Sequence, residues 1–274
     1  MPFNCFKDKV ILITGASSGI GLASARMFAQ SGARLALAAR SVDRLDALAL
    51  ELKEKYGTES LCVKTDVTIE DDCRNFVESA YSRFGRIDVL VNNAGISMRA
   101  MFKDLELDVI RRLMDVNFWG TVYCTKYALP YLLASKGSLV GVVSIAAYTA
   151  LPARTGYSAS KYAIRGFLDT VMIEHLKDGL NVLVFAPGYT ASNVRNAALL
   201  SDGRPQGKTP LDESGLMSAE KCAEKLGRAL SRRRSTATLT LLGKASVVCH
   251  NMFPRLMDRF TYSYISKESD SPFK

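Results

Sequence analysis

The sequence predicts an α/β fold in a single domain: a doubly wound, Rossmann-type parallel β-sheet with helices on both faces. Two observations carry that expectation. Short apolar runs rich in β-branched residues alternate with longer helix-patterned stretches from the start of the chain. Uninterrupted apolar runs of that kind mark parallel strands buried on both faces. The first run also leads directly into a glycine-rich turn and a helix, the order found in dinucleotide-binding sheets.

Each element follows in order. Residues 10–13 read as the first strand, 19–31 as the helix after the glycine turn, and 34–39 as the second strand. Residues 43–56 read as a helix with Leu45, Leu48 and Leu52 on one face. Further strands are expected at 61–65, 89–91, 139–144 and 182–186, with helices between them and one at 153–176. No internal repeat, linker or low-complexity tract divides the chain. The least regular stretch, 190–215, is interrupted by Gly203, Pro205, Gly207 and Pro210. Its length and its place after the last strong strand suggest a flap over a substrate site. A substrate-loop region is therefore expected near 190–217, and a basic, apolar C-terminal extension near 231–274.

Composition narrows the classes of function. At 274 residues, 48% hydrophobic and 23% charged, the chain sits in the ordinary soluble range. A chain of this size buries roughly 75% of its unfolded surface and needs no staple. Cys5, Cys62, Cys73, Cys124, Cys222 and Cys249 form no CxxC pair, and only His175 and His250 accompany them. Reduced thiols in a cytoplasmic protein, and no metal site, are the expectation. No signal-peptide pattern opens the chain, and no apolar stretch reaches the ~18 residues of a spanning helix. The net charge of +9 is concentrated in residues 191–274, which hold 14 Lys and Arg against 8 Asp and Glu. That excess suits either an anionic contact or a solvated basic face. A nucleic-acid binder would need interleaved exposed aromatics or a recognised module, so no nucleic-acid partner is expected.

The turn runs Thr14, Gly15, Ala16, Ser17, Ser18, Gly19, Ile20, Gly21. Glycines there permit the tight turn and let backbone approach a pyrophosphate, which the following helix N-terminus favours. The second strand ends Ala38-Ala39-Arg40-Ser41, without the acid that holds ribose hydroxyls in NAD binders. Arg40 can instead donate two charge-assisted bonds to a 2′-phosphate, so the expected cofactor is NADP(H). Tyr157 and Lys161 stand four apart on a helix and share one face. An ammonium beside a tyrosine, whose ordinary pKa is about 10, favours the phenolate. Ser144 ends an apolar strand, where its hydroxyl can orient a substrate oxygen.

Taken with Asn92-Asn93-Ala94-Gly95 and Pro187-Gly188, these motifs give the chain its resemblance to the short-chain dehydrogenase/reductase family over residues 8–190. The resemblance implies a catalytic tetrad of Asn117, Ser144, Tyr157 and Lys161, with Asn117 holding a water that links Lys161 to solvent. It implies that Asp66 and Val67 flank the adenine and that Asn93, Ala94 and Gly95 lie near the ribose. Pro187, Gly188 and Thr190 would lie near the nicotinamide, and Lys161 on the ribose hydroxyls. The reaction implied is hydride transfer between nicotinamide and a carbonyl or alcohol, with Tyr157 moving the proton; reduction is the favoured direction. A homodimer or homotetramer is implied as well.

By family position, Ser97, Met98, Ala146, Ala147, Tyr148, Leu151 and Tyr189 border the pocket, and their apolar character suits a lipophilic carbonyl compound. The layout resembles membrane-associated reductases of lipid or steroid ketones, the 3-ketosphinganine reductase type among them, without the N-terminal anchor many of these carry. The stretch Tyr189-Thr-Ala-Ser-Asn193 departs from the family's usual acidic or aliphatic pattern. After Arg232, Arg233 and Arg234, residues 239–242 read as strand-like. Pro254 can begin a helix with Leu256, Met257, Phe260 and Tyr264 near one face beside Arg255 and Arg259. That pattern suits a lid, a subunit contact or a peripheral membrane contact. A catalytically silent NADP-binding regulatory protein and an NAD-dependent alcohol dehydrogenase are the competing readings.

Overall fold

The computed structural model of the chain describes residues 3–190, 194, 197–207, 216–267, 271 and 273. Seven parallel strands form one sheet: β1 (Val10–Thr14), β2 (Arg34–Ala39), β3 (Ser60–Lys64), β4 (Val89–Asn92), β5 (Ser138–Val142), β6 (Asn181–Ala186) and β7 (Thr236–Thr238). Their order is β3-β2-β1-β4-β5-β6-β7. Alternation along each strand sorts the core into two layers. Ile11 and Ile13 of β1 pack with α1 (Gly19–Gln30), α2 (Val42–Tyr56) and, further along the sheet, α7 (Ala219–Ser231). Val10 and Leu12 face the layer of α3 (Glu70–Phe84), α5 (Gly120–Ala134) and α6 (Thr155–Glu174). Every residue of β1, β4, β5 and β6 is buried, which is why these strands read as unbroken apolar runs. In α2 the predicted stripe of Leu45, Leu48 and Leu52 is buried, and left-handed Gly57 ends the helix.

The chain winds from β1 out to β3 and then returns to place β4 on the other side of β1. That reversal opens a crevice at the carboxyl ends of β1 and β4, where doubly wound sheets bind ligands.

Several elements differ from expectation. The strand predicted at 139–144 stops at Val142, and Ser144 heads a short 3₁₀ turn, Ile145–Ala147, where its hydroxyl accepts from the Ala146 amide at 3.2 Å. The apolar run at 239–242 is not a strand. Thr240 caps α8 (Leu241–Met252) by accepting from the Gly243 amide at 3.0 Å, so a helix starts there. Pro254 does begin a helix, α9 (Pro254–Ser266). Within the arginine run, Arg233 donates to the carbonyls of Lys136 and Gly179 and so ties two loops together. Cys73, Cys124 and Cys222 are buried, whereas Cys5 and Cys249 are exposed.

The expected flap is partly a strapped wall. Leu199 pairs with Met98 and Pro205, and Arg112 donates to the Gly203 carbonyl at 3.1 Å. Thr190 pairs with Met217. Residues 191–193, 195–196 and 208–215 of that stretch lie outside the described residues.

Asp88, 5% exposed just before β4, joins the sheet to two surface cations. Its carboxylate accepts from the Val10 amide at 3.0 Å, from Lys9 at 3.1 Å, and from Arg86 at 2.6 and 2.8 Å. Burial alone would raise its pKa; Arg86, the Val10 amide and Lys9 outweigh it and hold the group below its ordinary value. A folded pKa below the unfolded one gives stability that is present above about pH 4 and lost as pH falls through the folded value. Asp88→Asn, which weakens these charged hydrogen bonds, is expected to cost about 1–3 kcal/mol at pH 7 in urea unfolding, with the gap to wild type closing under acid.

Candidate active site

The crevice is built from two loops that hold each other. The Thr14 hydroxyl accepts from the amides of Asn93 and Ala94, each at 3.0 Å. The Asn93 side chain donates back to the carbonyls of Thr14 (2.9 Å) and Gly15 (3.2 Å). Gly15 is left-handed, and a Cβ there would stand 2.9 Å from the Ala94 Cα. A Cβ on Gly21 would stand 2.3 Å from the Gly15 carbonyl oxygen, so no side chain fits either position.

Gly15, Ser17, Ser18, Gly19 and Ile20 line a cavity of about 1630 Å³; Gly21 lies behind them against Gly15. That volume exceeds the ~300–1,000 Å³ of an ordinary ligand pocket, leaving room for a dinucleotide and a second molecule. Ser18 precedes α1 without a side-chain cap bond, so its hydroxyl does not satisfy the first-turn amides of the helix. Backbone donors of that kind suit a pyrophosphate. At the tip of β2, exposed Arg40 and Arg44 line the cavity, and their side chains make no bond among the described residues. Asp66, after β3, lines the same cavity, its carboxylate taken by the amide and hydroxyl of Thr68 at 3.0 and 2.8 Å. Val67 lines the cavity too, pressed against Gly120, where a Cβ would meet it at 2.8 Å.

At the other end Ser144, Tyr157 and Lys161 open on the same cavity. Tyr157 is half-buried. Burial pushes the phenol above its ordinary pKa, and the Ser144 hydroxyl and the Arg154 cation offset part of that rise. Lys161 is 4% exposed and donates to the Val142 carbonyl at 2.9 Å, with Nζ 5.8 Å from the Tyr157 ring centre. Burial lowers its pKa to about 8. The Lys161 ammonium thus bonds the end of β5 while standing over the Tyr157 ring.

Asn117 sits behind the cavity, wholly buried in a π-helical turn, Met114–Trp119, between α4 (Leu107–Leu113) and α5. Its Oδ1 accepts from the Ile96 amide at 2.8 Å, and its Nδ2 donates to the Ile96 carbonyl (3.0 Å) and to Ser160 (2.9 Å). Both amide hydrogens are thus spent on protein, and its backbone carbonyl accepts from Thr121 at 2.8 Å. A Cβ on Gly95 would stand 3.1 Å from Asn117 Oδ1 and 3.4 Å from Lys161 Nζ, so both side chains close on this bare backbone. Asn93, Ala94 and Gly95 line the cavity, as do Pro187, Gly188 and Thr190.

The substrate side is only partly as expected. Ser97, Leu151 and Tyr189 line the cavity. Met98, Ala146 and Ala147 do not, because they are wholly buried in the core. Tyr148 is covered by the Arg165 guanidinium 4.2 Å from its ring centre. Ile145, Thr149 and Ala150 take their places, and α8 and α9 add His250, Met257, Phe260 and Tyr264. Arg154, which no motif signals, also lines the site and donates to Ser97 Oγ and the Met98 carbonyl, both at 2.9 Å. Only its spacing one turn before Tyr157 hints at it in the sequence. Among the described residues, no group of three His, Cys, Asp or Glu side chains gathers for a metal, and no helix is long and apolar enough to cross a membrane.

This arrangement defines a nicotinamide-cofactor class of site, and comparison with known proteins places it in a family. The short chain dehydrogenase family model matches residues 9–201, and the chain belongs to that family of nicotinamide-dependent oxidoreductases. 11-beta-hydroxysteroid dehydrogenase 1A of Arabidopsis thaliana is 43% identical over 195 residues, which are 70% of this chain and 55% of that protein. The chain thus spans little more than half the length of that relative. 11-beta-hydroxysteroid dehydrogenase-like 3 of the same plant is 33% identical over 268 residues, 97% of this chain and 84% of its own. An alcohol dehydrogenase from the archaeon Thermococcus sibiricus, solved in complex with 5-hydroxy-NADP, is 31% identical with a TM-score of 0.75, covering 85% of this chain and 96% of that one.

Proposed function

We propose that the protein is an NADP(H)-dependent oxidoreductase that reduces the ketone of a lipophilic substrate. The observation that carries this reading is that Ser144, Tyr157 and Lys161 open on one cavity that also holds the glycine turn and Arg40. Bound nicotinamide would supply the hydride. Tyr157 would give its proton to the carbonyl oxygen while Ser144 orients that oxygen. Lys161 would hold the nicotinamide ribose, and Asn117 keeps the Gly95–Ile96 backbone in place beside it. Pro187, Gly188 and Thr190 would border the nicotinamide, and Asp66 and Val67 the adenine.

Arg40 and Arg44, without a competing acid at the β2 tip, support NADP(H). The apolar wall of Ile145, Leu151 and Met257 supports a lipophilic substrate, and relatives named as hydroxysteroid dehydrogenases make a steroid-like ketone the first choice. A 3-keto lipid of the 3-ketosphinganine type remains in the panel. Exposed Met252, Phe253, Leu256 and Phe260 beside Arg255 and Arg259 support contact of α8–α9 with a second copy or a membrane surface. A cytoplasmic location suits the free thiols.

The test is oxidation of NADPH and NADH over a carbonyl panel from small aldehydes to 3-keto lipids and steroids. NADPH should be preferred, and Arg40→Asp should lower the NADPH-to-NADH ratio of kcat/KM about 10- to 100-fold, the worth of one or two charge-assisted bonds. A wild-type preference for NADH would sink the assignment of Arg40.

A further inference from the structure

Large apolar and aromatic side chains crowd onto the surface at the end of the chain. Met252, Phe253, Leu256, Phe260, Tyr262 and Tyr264 are each 56–65% exposed. Single exposed apolar residues are ordinary, but six of them over residues 252–264 form a surface that water covers poorly. Spacing puts four on one face of α9. From Phe253 at its cap, the steps to Leu256, Phe260 and Tyr264 are three, four and four residues, about one turn each. The Phe260 and Tyr264 rings stack with their centres 6.5 Å apart.

Charge borders this stripe on one side only. Arg255 and Arg259 stand one turn apart, both exposed, and neither bonds another side chain among the described residues. Asp258, the one acid of α8 and α9, lines the cavity. The stripe is also continuous with that cavity. Phe260 and Tyr264 line it, together with Met257 of the same helix and His250 of α8. A Cβ on Gly243 would stand 2.6 Å from Ile145 Cδ1, so the first turn of α8 sits directly on the wall that follows Ser144.

We propose that α8–α9 docks the protein on an anionic phospholipid surface, with the stripe at the level of the headgroups and the cavity mouth turned toward the lipid. An apolar face sinks into the boundary while flanking arginines reach back to the phosphates. At 12 and 13 residues, α8 and α9 are each shorter than the ~20 residues a crossing needs, so they lie along the surface. Entry of substrate by this route rests on the reading of the protein as a reductase of lipophilic ketones. A second copy fits the stripe less well. A two-fold interface repeats one patch on itself, so it would bring the arginines of both copies to one seam and cover the mouth that Phe260 and Tyr264 line.

The experiment is co-sedimentation of the full chain, without cofactor or substrate, with vesicles of phosphatidylcholine alone and with about one-third phosphatidylserine. Binding should be about tenfold tighter or more on the anionic vesicles and should weaken as salt rises. Phe253→Ser/Leu256→Ser should lower the partition coefficient on anionic vesicles about 10- to 30-fold, because two apolar side chains no longer leave water. Arg255→Gln/Arg259→Gln should lower it by a similar factor there and leave binding to phosphatidylcholine within about twofold. None of these four residues lines the cavity, so NADPH binding followed by fluorescence should match wild type and report a folded protein. Equal binding to the two vesicle types, or none at about 1 mM lipid, overturns the proposal. So does wild-type affinity in both double variants. A dimer in sedimentation velocity that Phe253→Ser/Leu256→Ser abolishes, without vesicle binding, overturns it in favour of a second copy. The wild-type comparison across lipid composition and salt needs no variant, so it decides even where a variant misfolds. Vesicle binding is read without turnover, so its failure is separable from failure of the carbonyl panel.

Discussion

Replacing Tyr157 with phenylalanine is expected to lower kcat/KM for carbonyl reduction about 10³-fold and to leave NADPH affinity within about twofold. A positioned general acid contributes about 10²–10⁴ in rate, and the phenol is the group at this end of the cavity best placed to give a proton to a substrate oxygen. The substitution is nearly isosteric. The ring keeps its packing on Met98 and Leu113, and Ser144 keeps its bond to the Ala146 amide. Folding stability should therefore change by less than about 1 kcal/mol, which separates lost chemistry from lost structure. The glycine turn, Arg40 and the Asn93 clasp are untouched, so binding measured by NADPH fluorescence should persist. Turnover within tenfold of wild type would mean that the proton comes from another group or from solvent, and the proposed role of Tyr157 would fail.

What could be read in advance follows from which constraints are local. Strands buried on both faces leave an unbroken apolar run, so 10–13 and 182–186 were legible without any partner being known. The glycine turn was legible because Gly15 and Gly21 face a backbone restriction that no other residue type satisfies. The run at 239–242 misled because four apolar residues have no periodicity to distinguish strand from helix, and the Thr240 cap decides. Chain position points to the segment around 144–151 but not to which side chains face inward: it implies Ala146 and Ala147 as lining, whereas Ile145 and Thr149 have that place. Arg154 and the aim of Lys161 depend on tertiary partners, Ser97 and Val142, that no spacing encodes.

Lys161→Met should abolish most activity and yet make the protein more stable at neutral pH. The ammonium is 4% exposed, and its pKa falls from 10.5 to about 8 through burial. A shift of that size corresponds to about 3 kcal/mol of strain on the charged native state. Against it stands the bond to the Val142 carbonyl, whose loss costs about 1–2 kcal/mol. Methionine fills a similar volume without charge, so the net gain at pH 7 is about 1–2 kcal/mol, visible as a rise of a few degrees in Tm. The sign of the pH dependence follows from proton uptake. Between about pH 8 and 10.5 the unfolded lysine still binds a proton that the folded one has released, so wild-type stability rises with pH over that window. The advantage of Lys161→Met should shrink across the same interval and be largely gone by its upper end. Meanwhile kcat should drop about 10²–10³-fold, because the ribose loses its anchor and the reacting carbon its alignment. A variant that is less stable at pH 7, or an advantage that grows toward alkaline pH, would show that the buried ammonium is held without strain. Gain in stability with loss of turnover would instead identify Lys161 as a residue kept for function at the expense of the fold.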